Sequence, residues 1–262
     1  MSFLERQKDI ENILLASRKV LVDDLSKRFG VSEVTIRKDL TQLENRGILL
    51  RTHGGAVLAE KPELVINQHK RSQEQVLEKN FIAQTAAQRV KDGESILLDT
   101  GSTTLALVKE LRGRNITVVT NSILIAMELV NDDRITVIVL GGTLRHSSLA
   151  LMGAMALEPL RNLRVDRAFM GASGFDPKNG FSCQNLIEAE TKKAMLKTAA
   201  EVVVLVDHTK FCKTAFAPFC SLKEAHVVVT NAAPQKPVAD IFKRNGISVV
   251  VAHQPVLVAG RP

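Results

Sequence analysis

The sequence of 262 residues predicts an α/β protein in two parts: a small helical part with a β-hairpin, then a larger part with a mainly parallel sheet covered by helices. Two observations support this prediction. Near the N-terminus, apolar residues recur with a helical period and are followed by a Gly-Gly turn. From residue 94 onward, short runs rich in Val and Ile alternate with amphipathic segments. Such alternation is typical of parallel strands that are buried on both faces.

The first part lies in residues 21–58, which contain a short helix, a tight turn at Gly30-Val31, a second helix and two short strands. An apolar stripe with a period of about 3.6 residues predicts the buried face of the second helix. A capping residue precedes this helix, and a glycine suited to a left-handed conformation follows it. The stripe is Ile36, Leu40 and Leu43, the N-cap is Ser32, and the terminating glycine is Gly47.

The opposite face of the second helix is polar and basic, and a basic hairpin follows it. Such side chains can reach base edges, thymine methyl groups or phosphates in the major groove of DNA. The order of elements is that of a winged helix-turn-helix, so we expect double-stranded DNA as a partner rather than a plain three-helix core. The candidate DNA contacts are Ser32, Val34, Thr35, Arg37, Lys38, Thr41 and Gln42 on the helix, with Arg51 and His53 on the wing.

The net charge of +7 does not come from this DNA-binding part. Residues 1–60 hold 10 Lys and Arg against 9 Asp and Glu, a balance of +1, whereas residues 161–262 hold 14 against 8, a balance of +6. DNA affinity must therefore depend on where individual side chains lie. The excess in the second half fits either an anionic ligand or a solvated basic surface.

Three cysteines (Cys183, Cys212 and Cys220) form no CxxC pair, which argues against structural zinc and a disulfide framework and favours a reducing cytoplasm. No apolar run approaches the roughly 18 residues of a membrane span, and the N-terminus lacks the apolar core of a signal peptide. We therefore expect a cytoplasmic protein with no metal, no cofactor and no membrane partner. Trp and Tyr are absent, which excludes base stacking on those rings.

The polar residues 59–80 predict a linker between a DNA-binding domain at 1–58 and a second domain at 81–262, with a helix over about 76–91. The apolar runs that predict strands are Ile96–Leu98, Ile116–Val119, Ile135–Leu140, Ala168–Met170, Val202–Val206, Val227–Val229 and Val249–Val251. The segments between them predict helices over about 103–111, 122–131, 154–162, 186–200 and 236–245.

Polar residues end most of these strands, and ligands bind at the carboxyl ends of strands in open α/β sheets. The first strand ends in residues 99–104, DTGSTT, and opens a helix whose free N–H groups favour an anion. The spacings GxxxxGK[ST] and GxGxxG are both missing, so this is neither a Walker loop nor a dinucleotide loop. Together with Lys210, the converging loops predict a phosphate site. The alternative for Asp207 and Lys210 is a surface ion pair.

Other charged or reactive residues in this half receive ordinary interpretations. Glu188 and Glu190 share a helix with Lys192 and Lys193, where salt bridges between residues four apart explain most charges. Arg145 and His146 follow a Gly-Gly turn; one alternative is that they line the same cleft, but taken singly each is expected to be solvated. Cys183 lacks a placed histidine base, so a nucleophilic role is not expected.

The chain resembles the DeoR family of bacterial transcriptional regulators. VSEVTIRKDL at 31–40 and RTHGGA at 51–56 resemble its N-terminal domain, although the family normally has Arg where Lys38 stands. DTGST at 99–103, TNS at 120–122, DRAFMGASG at 166–174 and DHTKF at 207–211 look like its C-terminal sensor domain. That domain is similar in fold to ribose-5-phosphate isomerase and typically binds a phosphorylated sugar. The resemblance implies a ligand site at Asp99, Gly101, Ser102, Thr103, Thr104, Asn121, Asp207 and Lys210. The chain departs from the family at Asn231, where Asp is common.

The resemblance implies a repressor of a carbohydrate-utilisation operon that a phosphorylated sugar releases from operator DNA. The alternative is a sugar-phosphate isomerase with a DNA-binding appendage, which needs a general base and an electrophile on the oxyanion. Asp207 and Lys210 could serve, but no acidic cluster accompanies the phosphate loop. An RNA-binding or nucleotide-sensing adaptor lacks its motifs. Because such regulators bind paired half-sites, we expect a homo-oligomer, at least a dimer.

Overall fold

The computed structural model describes residues 3–45, 48–58, 74–211 and 213–252. The chain divides into two units, Met1–Glu63 and Leu64–Pro262. Three sequence predictions lie outside the described residues: the helix end at Gly47, residues 59–73 of the linker, and the surroundings of Cys212. Within the described ranges, no helix is long and apolar enough to cross a membrane.

The first unit packs three helices against a small antiparallel sheet. The predicted buried stripe is confirmed, because Ile36, Leu40 and Leu43 are all fully buried against Ile10 and Leu14 of the first helix. The elements are α1 (Phe3–Ser17), β1 (Lys19–Leu21), α2 (Val22–Phe29), α3 (Glu33–Asn45), β2 (Leu49–Thr52) and β3 (Gly55–Leu58). Gly30, at φ 63°, ends α2 in the left-handed conformation that glycine tolerates best.

The wing differs from the predicted two-stranded hairpin, because β1 adds a third strand in the order β1-β3-β2. A three-residue strand between two helices has no alternation that a sequence pattern could reveal. Its partner β3 begins at Gly55, where the two backbones approach so closely that a Cβ would collide with the carbonyl oxygen of Val20. Only glycine fits this position without displacing β1.

A buried ion pair fixes α1 on α3 in the first unit. Arg6 Nε lies 2.6 Å from Asp39 Oδ2, and the Asp39 side chain is only 1% exposed. Asp39 occupies the inner face of α3 beside the apolar stripe, so its charge is balanced from another helix. A buried carboxylate of this kind is costly unless it is paired.

The second unit is built around a seven-stranded parallel sheet. All seven predicted strands are present in it, in the order β15-β14-β12-β9-β4-β5-β6. The elements are α4 (Val76–Ala87), β4 (Ser95–Leu98), α5 (Ser102–Leu111), β5 (Ile116–Thr120), α6 (Ile123–Leu129), β6 (Ile135–Val139), β7 (Thr143–Arg145), β8 (Ala150–Met152), α7 (Ala154–Leu160), β9 (Val165–Gly171), β10 (Gly174–Asp176), β11 (Gly180–Cys183), α8 (Leu186–Leu196), β12 (Ala199–Leu205), β13 (Ala217–Cys220), β14 (Val227–Thr230), α9 (Lys236–Arg244) and β15 (Ser248–Val251).

Alternate residues of each central strand face two different apolar cores, as a period of two requires. In β4, for example, Leu97 packs into one core, whereas Ile96 and Leu98 pack into the other. The predicted helix over 186–200 ends earlier, at Leu196, because β12 begins at Ala199 and pairs along its length with β9. A hairpin of β7 and β8 and a small sheet of β10, β11 and β13 were not predicted.

The strand order creates a crevice beside β4. After β4 the chain adds β5 and β6 on one side, and it then returns to place β9, β12, β14 and β15 on the other side. The connections that leave the carboxyl ends of β4 and β9 therefore diverge. In open α/β sheets this reversal marks the place where ligands bind.

Candidate functional site

The outer face of α3 presents most of the predicted DNA contacts to solvent. Ser32, Val34, Arg37, Lys38 and Gln42 are exposed, while Thr35 and Thr41 are half-buried. Val34 is 61% exposed, which is unusual for an apolar side chain but suits contact with a thymine methyl group. Ser32 also caps the helix as predicted, since its hydroxyl accepts a hydrogen bond from the Thr35 N–H at 3.3 Å.

Several of these side chains already have partners. Arg37 forms an exposed ion pair with Glu33 at 2.7 Å, and the hydroxyl of Thr41 donates to the carbonyl oxygen of Arg37 at 2.8 Å. Arg51 of the wing donates to the Thr41 hydroxyl at 2.9 Å, which joins the wing to α3. Exposed pairs contribute only about 0–1 kcal/mol, so Arg37 can exchange Glu33 for a phosphate at small cost.

Lys38 and His53 are two further exposed candidates. Lys38 is exposed and forms no ion pair with any residue that the structure describes. His53 is exposed at the tip of the wing, between β2 and β3. The side-chain oxygen of Gln42 accepts a hydrogen bond from Gln7 of α1 at 3.1 Å, which orients its amide on this face.

In the second unit, a cleft lies at the carboxyl ends of β4, β9 and β12. Five of the eight predicted ligand residues line it: Gly101, Ser102, Thr103, Asp207 and Lys210. The other lining residues are Thr100, Gly171, Ala172, Ser173, Leu205, Val206, Glu74, Lys79, Glu188 and Lys192. The cleft therefore lies where the strand order predicts it.

One end of the cleft is suited to an anion. Helix α5 begins at Ser102, and its N-cap Gly101 offers no side-chain acceptor to the first-turn N–H groups. Those groups and the helix dipole favour negative charge. Lys210 stands at the same cleft, with Nζ 3.4 Å from Asp207 Oδ2 and 3.3 Å from the Thr209 hydroxyl. This end can hold a phosphate between a helix N-terminus and a cation.

Asp207 is a buried hydrogen-bond acceptor that lines the same cleft. Its side chain is 2% exposed, and it accepts hydrogen bonds from the N–H of Thr209 at 3.0 Å and from the Thr209 hydroxyl. Burial raises the pKa of Asp207, but the Thr209 hydrogen bonds and Lys210 outweigh it, so the net shift is downward. Asp207 is thus a carboxylate at neutral pH. The alternative of a simple surface pair does not fit, because Asp207 is buried.

The floor of the cleft holds a buried lysine for which the sequence predicted only a salt bridge within its helix. That salt bridge to Glu188 is present, but the lysine also has a second, buried partner that the sequence did not predict. Lys192 is 2% exposed and is ion-paired with Asp99, the residue that follows β4, while its Nζ also donates to the carbonyl oxygen of Gly171 at 3.0 Å. The expected partner Glu188 lies 3.8 Å away. Burial lowers the pKa of Lys192, but the two carboxylates raise it more, so the ammonium stays charged.

Glu188 links the cleft to the β7–β8 hairpin. Arg145 was expected to be solvated, but its Nη1 donates to Glu188 Oε2 at 2.9 Å and only 31% of its side chain is exposed. Glu188 itself is held at the start of α8, where the side chain of Asn185 caps the helix by accepting from the Glu188 N–H. A ligand that donates a hydrogen bond to Glu188 therefore competes with Arg145 for the Glu188 carboxylate.

Three predicted ligand residues do not line the cleft. Asp99 is fully buried beneath it, where burial raises the pKa of its carboxyl and Lys192 offsets part of that rise. Thr104 is fully buried and donates to the carbonyl oxygen of Gly101 at 3.0 Å. Asn121 is 2% exposed and donates to the carbonyl oxygen of Leu151 at 3.1 Å. These side chains support the cleft walls rather than face the cavity.

The departure at Asn231 also has a structural consequence. The Asn231 side-chain oxygen accepts from the N–H of His208 at 2.8 Å, and this bond holds the short 3₁₀ turn, His208–Lys210, that carries Lys210. Asn231 therefore does not need to face the cleft to affect it, because it holds the backbone of the turn that carries Lys210.

Cys183 is not a nucleophile at neutral pH, because burial raises the pKa of its thiol to about 11. Among the described residues, no group of His, Cys, Asp or Glu side chains is arranged to hold a metal ion.

The residues that the sequence analysis missed are Lys192, Glu188, Lys79 and Glu74. For Lys192 a signal was present. It lies three residues from Ala189 and three from Met195, on the apolar stripe of α8. A lysine inside an apolar stripe is a buried charge that needs a partner.

Comparison with known proteins supports both halves of the prediction. The DeoR-like helix-turn-helix domain matches residues 6–62, and the DeoR C terminal sensor domain matches residues 74–232. The HTH-type transcriptional regulator GolR of Listeria innocua is 35% identical over 250 residues, which is 95% of this chain and 98% of that protein. The lactose phosphotransferase system repressor of Staphylococcus aureus is 31% identical over 240 residues, 90% of this chain and 95% of its own length.

Among solved structures, ribose 5-phosphate isomerase A of Methanocaldococcus jannaschii is 25% identical, with a TM-score of 0.38 over 52% of this chain and 54% of that chain. These two relatives, which match along most of both chains, are named as a transcriptional regulator and a repressor, not as enzymes. Two domain matches that together span both units leave one conclusion: the chain belongs to the DeoR family of transcriptional regulators.

Proposed function

We propose that this regulator is a repressor that binds operator DNA through α3 and the wing, and that a phosphorylated sugar in the cleft of the second unit releases it. One observation carries the proposal. The uncapped start of α5, the ammonium of Lys210 and the carboxylate of Asp207 converge on one cleft. An anion site next to a hydroxyl acceptor is the combination that a sugar phosphate requires.

In this proposal the two ends of the ligand are recognised differently. The phosphate accepts hydrogen bonds from the first-turn N–H groups of α5, from Ser102 and Thr103, and from Lys210. The sugar hydroxyl groups donate to Asp207 and Glu188, which are both carboxylates on the cleft wall. A neutral sugar leaves the anion end without a partner, so we expect it to bind far more weakly than its phosphate ester.

The expected target is a carbohydrate-utilisation operon. Support comes from the relative named as a lactose phosphotransferase system repressor, which shares 31% identity along 90% of this chain. A regulator of such an operon should leave its operator when the sugar is present. The sign of the response, release rather than tightening, is therefore part of the proposal.

Thermodynamic linkage between the two binding sites predicts the size of the effect on operator affinity. If the sugar phosphate lowers DNA affinity by some factor, operator DNA must lower the affinity for the sugar phosphate by the same factor. Couplings of this kind are typically about 1–3 kcal/mol. We therefore expect a roughly 5- to 150-fold loss of operator affinity at saturating ligand.

The test of the cleft begins with an operator selected from random duplexes and a thermal-shift screen of phosphorylated pentoses, hexoses and amino sugars. Lys210→Ala and Thr103→Val should leave operator affinity intact but abolish the effect of the active compound. Lys109→Ala is the matched control, because Lys109 is exposed near the end of the same helix that begins at the cleft. Variants that respond like the control would place the effector elsewhere, and a ligand that tightens DNA binding would make it a co-repressor.

The DNA surface is tested separately by gel shift over a range of salt concentrations. Lys38→Ala should weaken binding to all duplexes and reduce the salt slope by about 1, as the loss of one phosphate contact requires. Arg37→Ala should cost about 1–3 kcal/mol and relax specificity at one base pair if Arg37 contacts a guanine. Lys8→Ala, an exposed change on α1, serves as the control. Unchanged affinity in both α3 variants would remove α3 from the interface.

A further inference from the structure

A second cavity of the second unit lies between α7 and α8. Its apolar lining residues are Leu157, Leu160 and Ala194, which form the floor. Leu160 is 3% exposed and belongs to the main core, whereas Leu157 and Ala194 are half-buried. The small side chain of Ala194 leaves space between the helices. We call this cavity the α7–α8 groove.

The rims of the α7–α8 groove are strongly basic. Arg161 and Arg164 follow α7 on one side. On the other side, Lys193 lies on α8 and Lys197, four residues later, is the C-cap residue of that helix. All four side chains are exposed, and none forms an ion pair with a carboxylate in the described part of the chain. Glu190 is the one acidic residue in the lining. The lining thus carries four cations against one anion, and it holds part of the positive excess of the second half.

The α7–α8 groove is separate from the cleft at the carboxyl ends of β4, β9 and β12, although α8 contributes residues to both. Lys192 faces inward to Asp99, whereas its neighbour Lys193 faces outward to the groove. The effector proposed above therefore does not account for these four cations. Some surface cations of the same unit do have a partner, as Arg112 does with Glu128 at 2.6 Å.

We propose that the α7–α8 groove binds an acidic amphipathic helix of a partner protein. An apolar floor selects apolar side chains spaced three and four residues apart, which is how an amphipathic helix lies in a groove. Two basic rims select carboxylates on both flanks of that apolar stripe, and such charge complementarity fixes orientation and specificity. Duplex DNA is a poorer match, since its phosphates gain nothing from an apolar floor.

The test uses the full-length protein and a fluorescein-labelled peptide of about 20 residues, which is about 30 Å long as a helix. The peptide has Leu on one helical face and Glu at the remaining positions. Anisotropy should show binding that the double variant Lys193→Glu, Lys197→Glu weakens by about tenfold or more, because rim charges are reversed. The double variant Lys236→Glu, Lys243→Glu on α9 makes the same change of net charge at exposed positions and should bind as the unaltered protein does.

Three further measurements keep the result specific. Circular dichroism must show that both double variants retain the native fold. A peptide of the same composition in scrambled order must bind at least about tenfold more weakly, because it lacks the apolar face. Equal binding of the scrambled peptide, or equal loss in the α9 variant, would overturn the proposal in favour of simple charge attraction. If the groove variant instead loses only affinity for non-operator duplex, the groove is a nucleic-acid surface and the proposal is wrong.

Discussion

Replacing Lys192 by Met tests the buried pair beneath the cleft. The change keeps the length and apolar stem of the side chain but leaves Asp99, which is 0% exposed, without its cation. Removing one partner of a buried pair typically costs about 3–5 kcal/mol. Asp99 can escape by taking a proton, and at pH 7 this costs about 4 kcal/mol for a carboxyl whose ordinary pKa is 3.8. We therefore expect the free energy of unfolding to fall by about 3–4 kcal/mol at pH 7.

The loss of stability in the Lys192→Met variant should depend on pH. In the variant, the pKa of Asp99 in the folded state lies above its unfolded value, so the folded state is favoured at low pH and loses stability as pH rises. The cost of protonating Asp99 falls to about 1.6 kcal/mol at pH 5. The pKa of Asp99 is also raised in the unaltered protein, so the deficit of the variant should shrink by at most about 2–3 kcal/mol between pH 7 and pH 5.

Urea unfolding followed by far-ultraviolet circular dichroism measures the effect, since the chain has no Trp or Tyr for fluorescence. Lys193→Met is the matched control, because Lys193 is the exposed neighbour of Lys192. The double variant Asp99→Asn, Lys192→Met removes both charges and should recover at least about 1 kcal/mol at pH 7. A Lys192→Met deficit within about 1 kcal/mol of the control, or one that is the same at pH 5 and pH 7, would refute the buried ion pair.

Three other predictions concern the core, the thiols and assembly. Leu40→Ala empties a fully buried position of the first unit and should destabilise it by about 2–5 kcal/mol in the same urea assay; a loss below about 1 kcal/mol would contradict its burial. In a Cys212→Ser variant, the native protein should resist iodoacetamide at pH 7.5, because burial raises the pKa of Cys183 to about 11 and of Cys220 to about 12; labelling as fast as in urea would contradict this. Light scattering with operator DNA should report at least a dimer, and a monomer at micromolar concentration would refute binding to paired half-sites.

Much of the fold could be predicted because its signals are local. The stripe of Ile36, Leu40 and Leu43 and the cap at Ser32 lie within one helix, where period and capping act over a few residues. The same holds for the strands of the central sheet and for the loop at residues 101–103, whose small polar residues open α5. The amino-acid sequence therefore determined the two-part architecture, the helix that we propose to contact DNA and the helix start that we propose to bind an anion.

The tertiary structure decided what depends on distant partners. Asp99 and Lys192 are 93 residues apart, and Arg6 and Asp39 are 33 residues apart, so no local pattern shows that these charges are buried together. A lysine on a helix has the same spacing to its neighbours whether its face meets solvent or a sheet. Only the strand order, which places β4 between β5 and β9, brings Asp99 under α8 and makes Lys192 part of the cleft floor. Burial then raises the cost of leaving either charge unpaired, and this cost is why the pair must form.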